Sequence, residues 1–251
     1  MNSDSSSIKP TLLLQNIRSV GKTGNKHSVS ILLEEVKPHL MVLTETWANK
    51  QLPKLHSQYS SLQTPFSKYR GVALVFQHHL TLTPTLLSLW SEFFLVATWS
   101  LSLSQHAVVV GAYLQPASKD VRLLELQRIV QIARTRYPSF EIIIAGDFNM
   151  SECEVRSRLA VPEGLHCFTT NGTRQTGETW FTVDFVVSTV LCRGTRLANN
   201  FSSSDHWPLL FQFDQLRVKP QEKKPLAPKV RKSVNSFSLI SSLLKTTWPL
   251  R

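Results

Sequence analysis

Residues 141–150, EIIIAGDFNM, limit the possible fold more than any other stretch of the chain. Ile142, Ile143 and Ile144 are consecutive β-branched side chains, and such a run needs burial on both faces, as in a central strand covered on each side. The run breaks at Gly146 into Asp147, Phe148 and Asn149. The acid therefore falls at a strand end, where a sheet can offer polar groups to a ligand because the strand interior belongs to the core. Taken alone, Asp-Phe-Asn also reads as a turn or a helix cap. The same design recurs, however. LLLQN ends at Asn16, MVLTE at Glu45 and VVVGAY at Tyr113; FTVDFVV carries Asp184, and SSSDHWPLLFQF enters its last strand through Asp205 and His206. That repetition points to one polar edge shared by several strands.

The pattern between these strands is that of an α/β chain. A first buried strand over 11–17 precedes Val29, Leu32, Leu33 and Val36, whose i, i+3, i+4, i+7 spacing predicts a helix ending before Pro38. A strand over 39–43 follows, so a β-α-β crossover sets Asn16 and Glu45 on parallel neighbours at one edge. Stretches 71–77, 93–101 and 107–114 read as three successive strands and antiparallel neighbours. Leu126, Ile129, Val130 and Ala133 predict a second helix, with a second crossover into the 141–150 strand. A polar loop over 169–175 leads to a strand over 178–188 that holds Asp184 inside it, and an acid there is costly unless paired. His206 would supply the partner. Ser202, Ser203 and Ser204 read as a flexible approach to Asp205, and 207–213 as the closing strand.

The chain has 251 residues, enough for one α/β domain, expected over 11–216 after a short disordered leader at 1–10. Its net charge of +11 is unevenly spread. Residues 217–251 hold nine Lys/Arg and one acid, or +8, leaving +3 for the rest. This basic Pro/Lys-rich tail reads equally as a phosphate-binding arm, a nuclear localisation signal or a solubilising tail. Cys153, Cys167 and Cys192 lack the close pairing of zinc sites and read as free thiols of a reducing compartment. No secretion signal or membrane span is expected, so the location is nuclear or cytoplasmic, with no membrane partner and a monomeric chain.

The candidate site residues are chemically consistent. Glu45, Asp147, Asn149, Asp184 and Asp205 are hard oxygen donors without a Cys/His cluster, a set that favours Mg2+ or Mn2+ over zinc. Hydrolysis of a phosphate ester with such an ion also needs a carboxylate to activate water and a donor for the charge that builds on phosphate. Asp147 and an Asp184–His206 pair fit those roles. Asn16 and Tyr113, read singly, serve as well for a turn residue and a buried phenol.

In order along the chain, QNIRS, LTETW, GVALVF, GAYLQP, GDFN, VDFVVS and SSSDHWPL resemble the endonuclease/exonuclease/phosphatase superfamily, from about Leu12 to Phe213. That superfamily includes apurinic/apyrimidinic endonucleases, DNase I and inositol polyphosphate 5-phosphatases. The resemblance implies a DNase I-like four-layer sandwich of two packed mixed β-sheets flanked by helices. It also implies roles for the site residues. Glu45, helped by Asn16 and Asp205, would hold the metal, and Asp147 would orient or deprotonate water. Asn149 and Tyr113 would position the scissile phosphate, and His206, held by Asp184, would stabilise the transition state. NIRSV, LMVLTETW and SSSDHWP are most similar to the endonuclease domains of LINE-type non-LTR retrotransposons, which nick target DNA to expose a 3′-hydroxyl for reverse transcription. The resemblance thus implies a DNA substrate, with the RNA or reverse transcriptase of a retroelement as further partners. A phosphatase of phosphoinositides or other small phosphate esters, and a non-catalytic nucleic-acid-binding remnant, are the alternatives.

Overall fold

The structure is a computed structural model that describes residues 8–218 except 23, 49, 50, 66 and 201. In chain order its main elements are β1 (Thr11–Asn16), α1 (Asn25–Val36), β2 (Leu40–Thr44), β3 (Tyr59–Gln63), β4 (Val72–Gln77), β5 (Thr81–Pro84), β6 (Phe94–Ser100) and β7 (His106–Tyr113). They continue with α2 (Lys119–Arg136), β8 (Glu141–Asp147), α3 (Glu152–Val155), β9 (His166–Phe168), β10 (Arg174–Thr176), β11 (Thr179–Phe181), β12 (Asp184–Ser188), β13 (Cys192–Arg196) and β14 (Leu209–Phe213).

Two six-stranded sheets, ordered β13-β14-β1-β2-β4-β3 and β5-β6-β7-β8-β12-β9, pack face to face. Both are mixed: β1–β2 and β7–β8 are parallel, and the remaining pairs are antiparallel. Side-chain alternation explains the layering. In the first sheet Leu12, Leu14, Leu40, Val42, Val72 and Leu74 point into the space between the sheets. The residues between them, Leu13, Met41, Leu43, Ala73 and Val75, point outward and are covered by Val29, Leu32 and Leu33 of α1. On the far side α2 buries Leu123, Leu126, Ile129, Val130 and Ala133 against the second sheet. The order helix, sheet, sheet, helix is the expected four-layer sandwich.

Two glycines mark where the layers are tightest. A Cβ at Gly111 would lie 2.6 Å from Val72 across the sheets, and one at Gly146 would lie 1.8 Å from the Ala112 carbonyl of the adjacent strand. The glycine that ends the Ile142–Ile144 run thus lets β7 and β8 close beside Asp147.

Several expectations need correcting. The stretches expected as three antiparallel neighbours are divided between the sheets. β4 lies between β2 and β3, while β6 and β7 pair in the other sheet. The connection from β4 to β6 is long enough to change layers because it carries β5 and buries Leu80, Leu82 and Leu86 on the way. The strand expected over 178–188 is broken in two, and Asp184 is the first residue of β12, not an interior one. The hydroxyl of Thr173 accepts hydrogen bonds from Val183 N at 3.0 Å and Asp184 N at 3.2 Å, which ends the ladder there. β10 and β11 instead form a separate hairpin. The serines before Asp205 are not a loose approach: Asn25 accepts from Ser203 N at 3.0 Å, Ser202 Oγ from Gln15 at 2.9 Å, and Ser204 Oγ from His206 N at 3.2 Å.

Both expected chain boundaries also carry contacts. Ile8 pairs with Val218, Lys9 meets Asp214 at 2.8 Å, and Arg217 N donates to Gln105 at 2.8 Å. The rest of the expected leader and tail, 1–7 and 219–251, lies outside the described residues. The three cysteines are free, and among the described residues no helix is long and apolar enough to cross a membrane.

Candidate active site

The sheet topology brings the expected strand ends together. β1, β2, β7 and β8 end at one edge of the sandwich, while the antiparallel β12 and β14 begin there. In register, Asp147 stands between Tyr113 on one neighbouring strand and Asp184 on the other. Across the sandwich, Asn16 is fully buried, and its amide nitrogen donates to Glu45 Oε1 at 2.7 Å and to Asp147 Oδ2 at 2.9 Å. Asn16 therefore ties the two sheets together at the site. Its amide oxygen is taken by Arg18 N at 3.1 Å.

A backbone group holds the Asp147 carboxylate from its other side. Asn149, in the left-handed region at φ 48, donates its backbone N–H to Asp147 Oδ1 at 3.0 Å, an Asx-type turn that Asn tolerates well. The Asn149 amide nitrogen donates to Leu114 O at 3.0 Å. Glu45 is also left-handed, at φ 52, and its Oε2 accepts from the Trp47 indole at 3.2 Å.

Asp184 faces Asp147 directly across an antiparallel pair, so two carboxylates oppose each other in a dry location. His206 resolves this. Its Nδ1 lies 2.9 Å from Asp184 Oδ2, and its Nε2 lies 3.9 Å from Asp147 Oδ2 and 3.8 Å from Asp205 Oδ1. The expected Asp184–His206 pair is present and buried. Burial alone would lower the His206 imidazole, but Asp184 and Asp147 outweigh it and raise its basicity. Burial raises the Asp147 carboxyl, Asp184 adds to the effect, and His206 and Asn16 oppose it. Tyr113 is 6 % exposed, and burial with the nearby Glu45 and Asp147 charges raises its phenol. Asp205 is nearer the mouth, paired with Arg18 Nη1 at 3.0 Å and Arg174 Nε at 2.9 Å. Burial works to raise its carboxyl, but His206, Arg174 and Arg18 together hold it low.

The donor set fits a divalent cation. Asp147, Asp184 and His206 each offer one ligand atom within 4.8 Å of the others, and Asp184 Oδ1 is buried without a hydrogen-bond partner. These three side chains are at most 2 % exposed, whereas Glu45 and Asp205 are only partly buried. A hydrated hard ion gives up its waters reluctantly, so the more exposed Glu45 and Asp205 carboxylates would meet it more readily, with Asp205 already paired to Arg18 and Arg174.

All eight expected site residues thus lie at one edge. Sequence reasoning missed those that hold them. Thr173 fixes the start of β12, and Asn25 and Asn200 brace the loop before His206, with Asn200 donating to Ser204 O and to His206 O. Arg18 and Arg174 were also missed as partners of Asp205. They lie in polar loops or at the first residue of α1 or β10, where Asn, Thr and Arg are ordinary and carry no periodic signal.

A model of the endonuclease/exonuclease/phosphatase family matches residues 13–206. Among solved structures, the chain is similar to the endonuclease domain of TRAS1, a telomere-specific non-LTR retrotransposon, with TM-score 0.67 and 18% identity over 82% of this chain and 98% of that one. It is also similar to the 3′ phosphatase NExo from Neisseria bound to a product DNA hairpin, with TM-score 0.61 and 16% identity over 82% and 99% of the two chains. Truncated TDP2 from Caenorhabditis elegans gives TM-score 0.61 and 13% identity over 82% and 98%. No protein of curated function matches the sequence. At these identities the structural likenesses concern the fold, and the family rests on a match that spans both sheets and reaches from β1 to His206. The chain belongs to the endonuclease/exonuclease/phosphatase family.

Proposed function

We propose that the chain is a Mg2+-dependent endonuclease, with Mn2+ as a substitute, that nicks DNA and leaves a 3′-hydroxyl and a 5′-phosphate. The observation that carries this reading is the Asp147 carboxylate facing an Asp184-bound imidazole 3.9 Å away in one buried cluster. Burial makes Asp147 more basic, as a group that orients or deprotonates attacking water needs to be. His206, kept protonated by flanking carboxylates, donates to the phosphate as charge builds. Asp184 holds that imidazole in place, while Asn149 and Tyr113 position the scissile phosphate. Glu45 and Asp205 would hold the cation, and Asn16 aligns Glu45 through its amide nitrogen. Such an ion would supply polarisation of a phosphoryl oxygen and offset charge on the leaving oxygen.

The likeness to the TRAS1 domain, together with the LTETW and SSSDHWP motifs, supports an origin in a LINE-type retrotransposon. The nick would then prime reverse transcription, with the element's RNA and reverse transcriptase as partners. Supercoiled plasmid tests the reading, incubated with the protein and Mg2+, with EDTA, and with Asp147→Ala protein. Open circles should form only with both metal and Asp147. A folded protein that yields none, yet releases phosphate from a small ester, would be a phosphatase instead.

A further inference from the structure

Beside Glu45, and outside the residues assigned to catalysis, four side chains form an aromatic and basic ledge. Trp47 is held in the left-handed region at φ 48, with its backbone N–H donating to Arg70 O at 2.8 Å and its indole to Glu45. Tyr69 meets the Trp47 ring edge-on, with centroids 5.8 Å apart and planes at 80°. Lys22 Nζ lies 5.2 Å from the Trp47 ring centroid and Lys68 Nζ 5.1 Å from that of Tyr69. Both lysines are exposed, and neither has an acidic partner among the described residues. Tyr69 is 59 % exposed, a large amount for a phenol ring that already has an aromatic neighbour.

The chemistry of this ledge selects its partner. Unpaired lysines attract a chain of phosphates, and an exposed ring offers a face on which a base can stack. In a duplex the base faces are covered by their neighbours, so a surface that follows duplex phosphates needs cations and gains little from Tyr69. An unpaired nucleotide uses both features. We propose that Lys22, Trp47, Tyr69 and Lys68 bind an unpaired segment of the nucleic-acid substrate next to the scissile phosphate, so that the protein acts preferentially on locally opened duplex. The inference rests on the nuclease reading above and narrows its substrate. The indole of Trp47 links the ledge to Glu45 through a single hydrogen bond, which puts a strand held there against the reacting centre.

The test measures binding and cleavage separately, with the full chain. In EDTA, fluorescence anisotropy is followed for a labelled short oligothymidylate and for a blunt duplex of equal length. Tyr69→Ala should weaken oligothymidylate binding about tenfold and duplex binding less than about twofold, whereas the double variant Lys22→Ala with Lys68→Ala should weaken both, oligothymidylate the more. Tyr69→Trp, which keeps a stacking face, should bind as the unaltered protein does. Equal losses for both ligands, or none for either, would overturn the proposal. With Mg2+, the unaltered protein should cut a duplex carrying an unpaired bubble about tenfold faster than its matched counterpart, a preference that Tyr69→Ala removes. Equal rates on bubble and matched duplex would refute the preference. If neither is cut while oligothymidylate binding still depends on Tyr69, the ledge stands and the endonuclease reading falls.

Discussion

At the scale of single residues, the site depends on how His206 is shared between carboxylates. Asp184 Oδ2 lies 2.9 Å from Nδ1, so Asp184→Asn keeps the shape and removes the charge that holds the imidazole protonated. The rate of nicking should fall about 100- to 10,000-fold, the range over which a single acid–base group acts. DNA affinity should change less than about twofold. Single-turnover cleavage and binding measured on the same preparation check this, and a parallel loss of both would make Asp184 a structural residue. Stability should fall as well. Asp184 stands opposite Asp147 but pairs with the buried His206, and removing one partner of a buried ion pair leaves the other uncompensated, so the Tm of Asp184→Asn should be lower. Asp147 and Glu45 were legible in the sequence because each breaks a run of apolar strand residues, and His206 because it leads into one. Thr173, Asn25 and Asn200 were not, since their role is to bond backbone groups of neighbouring loops, which leaves no periodic pattern in the sequence.

At the scale of elements, closely packed strands set the site. Gly146→Ala would press a methyl group against the Ala112 carbonyl, which cannot rotate away. The substitution should cost about 3 kcal/mol, at the upper end for overpacking, and should reduce nicking by displacing Asp147. Urea denaturation checks the first effect, and an unchanged midpoint would mean the ladder can open. The junction between β1 and β2 makes stability depend on pH. His39 Nδ1 accepts from Thr11 N at 3.1 Å, and burial, reinforced by His79, holds its pKa down to about 4 from 6.5. The folded form binds the proton less readily than the unfolded form. The neutral ring's contribution is therefore complete above pH 6.5 and is lost as the pH falls towards about 4. The slope is at most about 1.4 kcal/mol per pH unit, reduced by the part of the ring that meets solvent. Denaturation at pH 7 and pH 5 should show this fall in the unaltered protein and less of it in His39→Asn. Equal falls in both would clear His39. The element types followed from spacing, since α1 and α2 bury the apolar residues whose period announced them. Which sheet each strand joins did not. β4 and β6 read alike as strands, and only the packing of Leu80, Leu82 and Leu86 carries the connection from one layer to the other.

At the scale of the whole molecule, positive charge is concentrated in the sequence that follows Val218. Residues 219–251 hold eight Lys/Arg and one Glu, or +7 of the total +11. Removing them while keeping Arg217 and Val218, which are bonded into the fold, should weaken DNA binding and flatten its dependence on salt. The slope of log affinity against log salt concentration measures this, and an unchanged slope would mean that the segment touches no phosphates. The truncated protein should still nick, because all the expected site residues precede it.

The sequence by itself determined the class of fold, the polar character of the strand ends and the side chains that gather there. It could do so because burial on two faces and a sharp end to an apolar run are local properties of a strand. Only the tertiary structure decided which strands share a sheet, how Asn16 joins Glu45 to Asp147 across the sandwich, and how the loops around Thr173 and Ser202–Ser204 are held. It also placed Trp47 and Tyr69 in a ledge beside Glu45. Each of these depends on hydrogen bonds or ring contacts between residues far apart in the chain, set by the whole fold and by no local pattern.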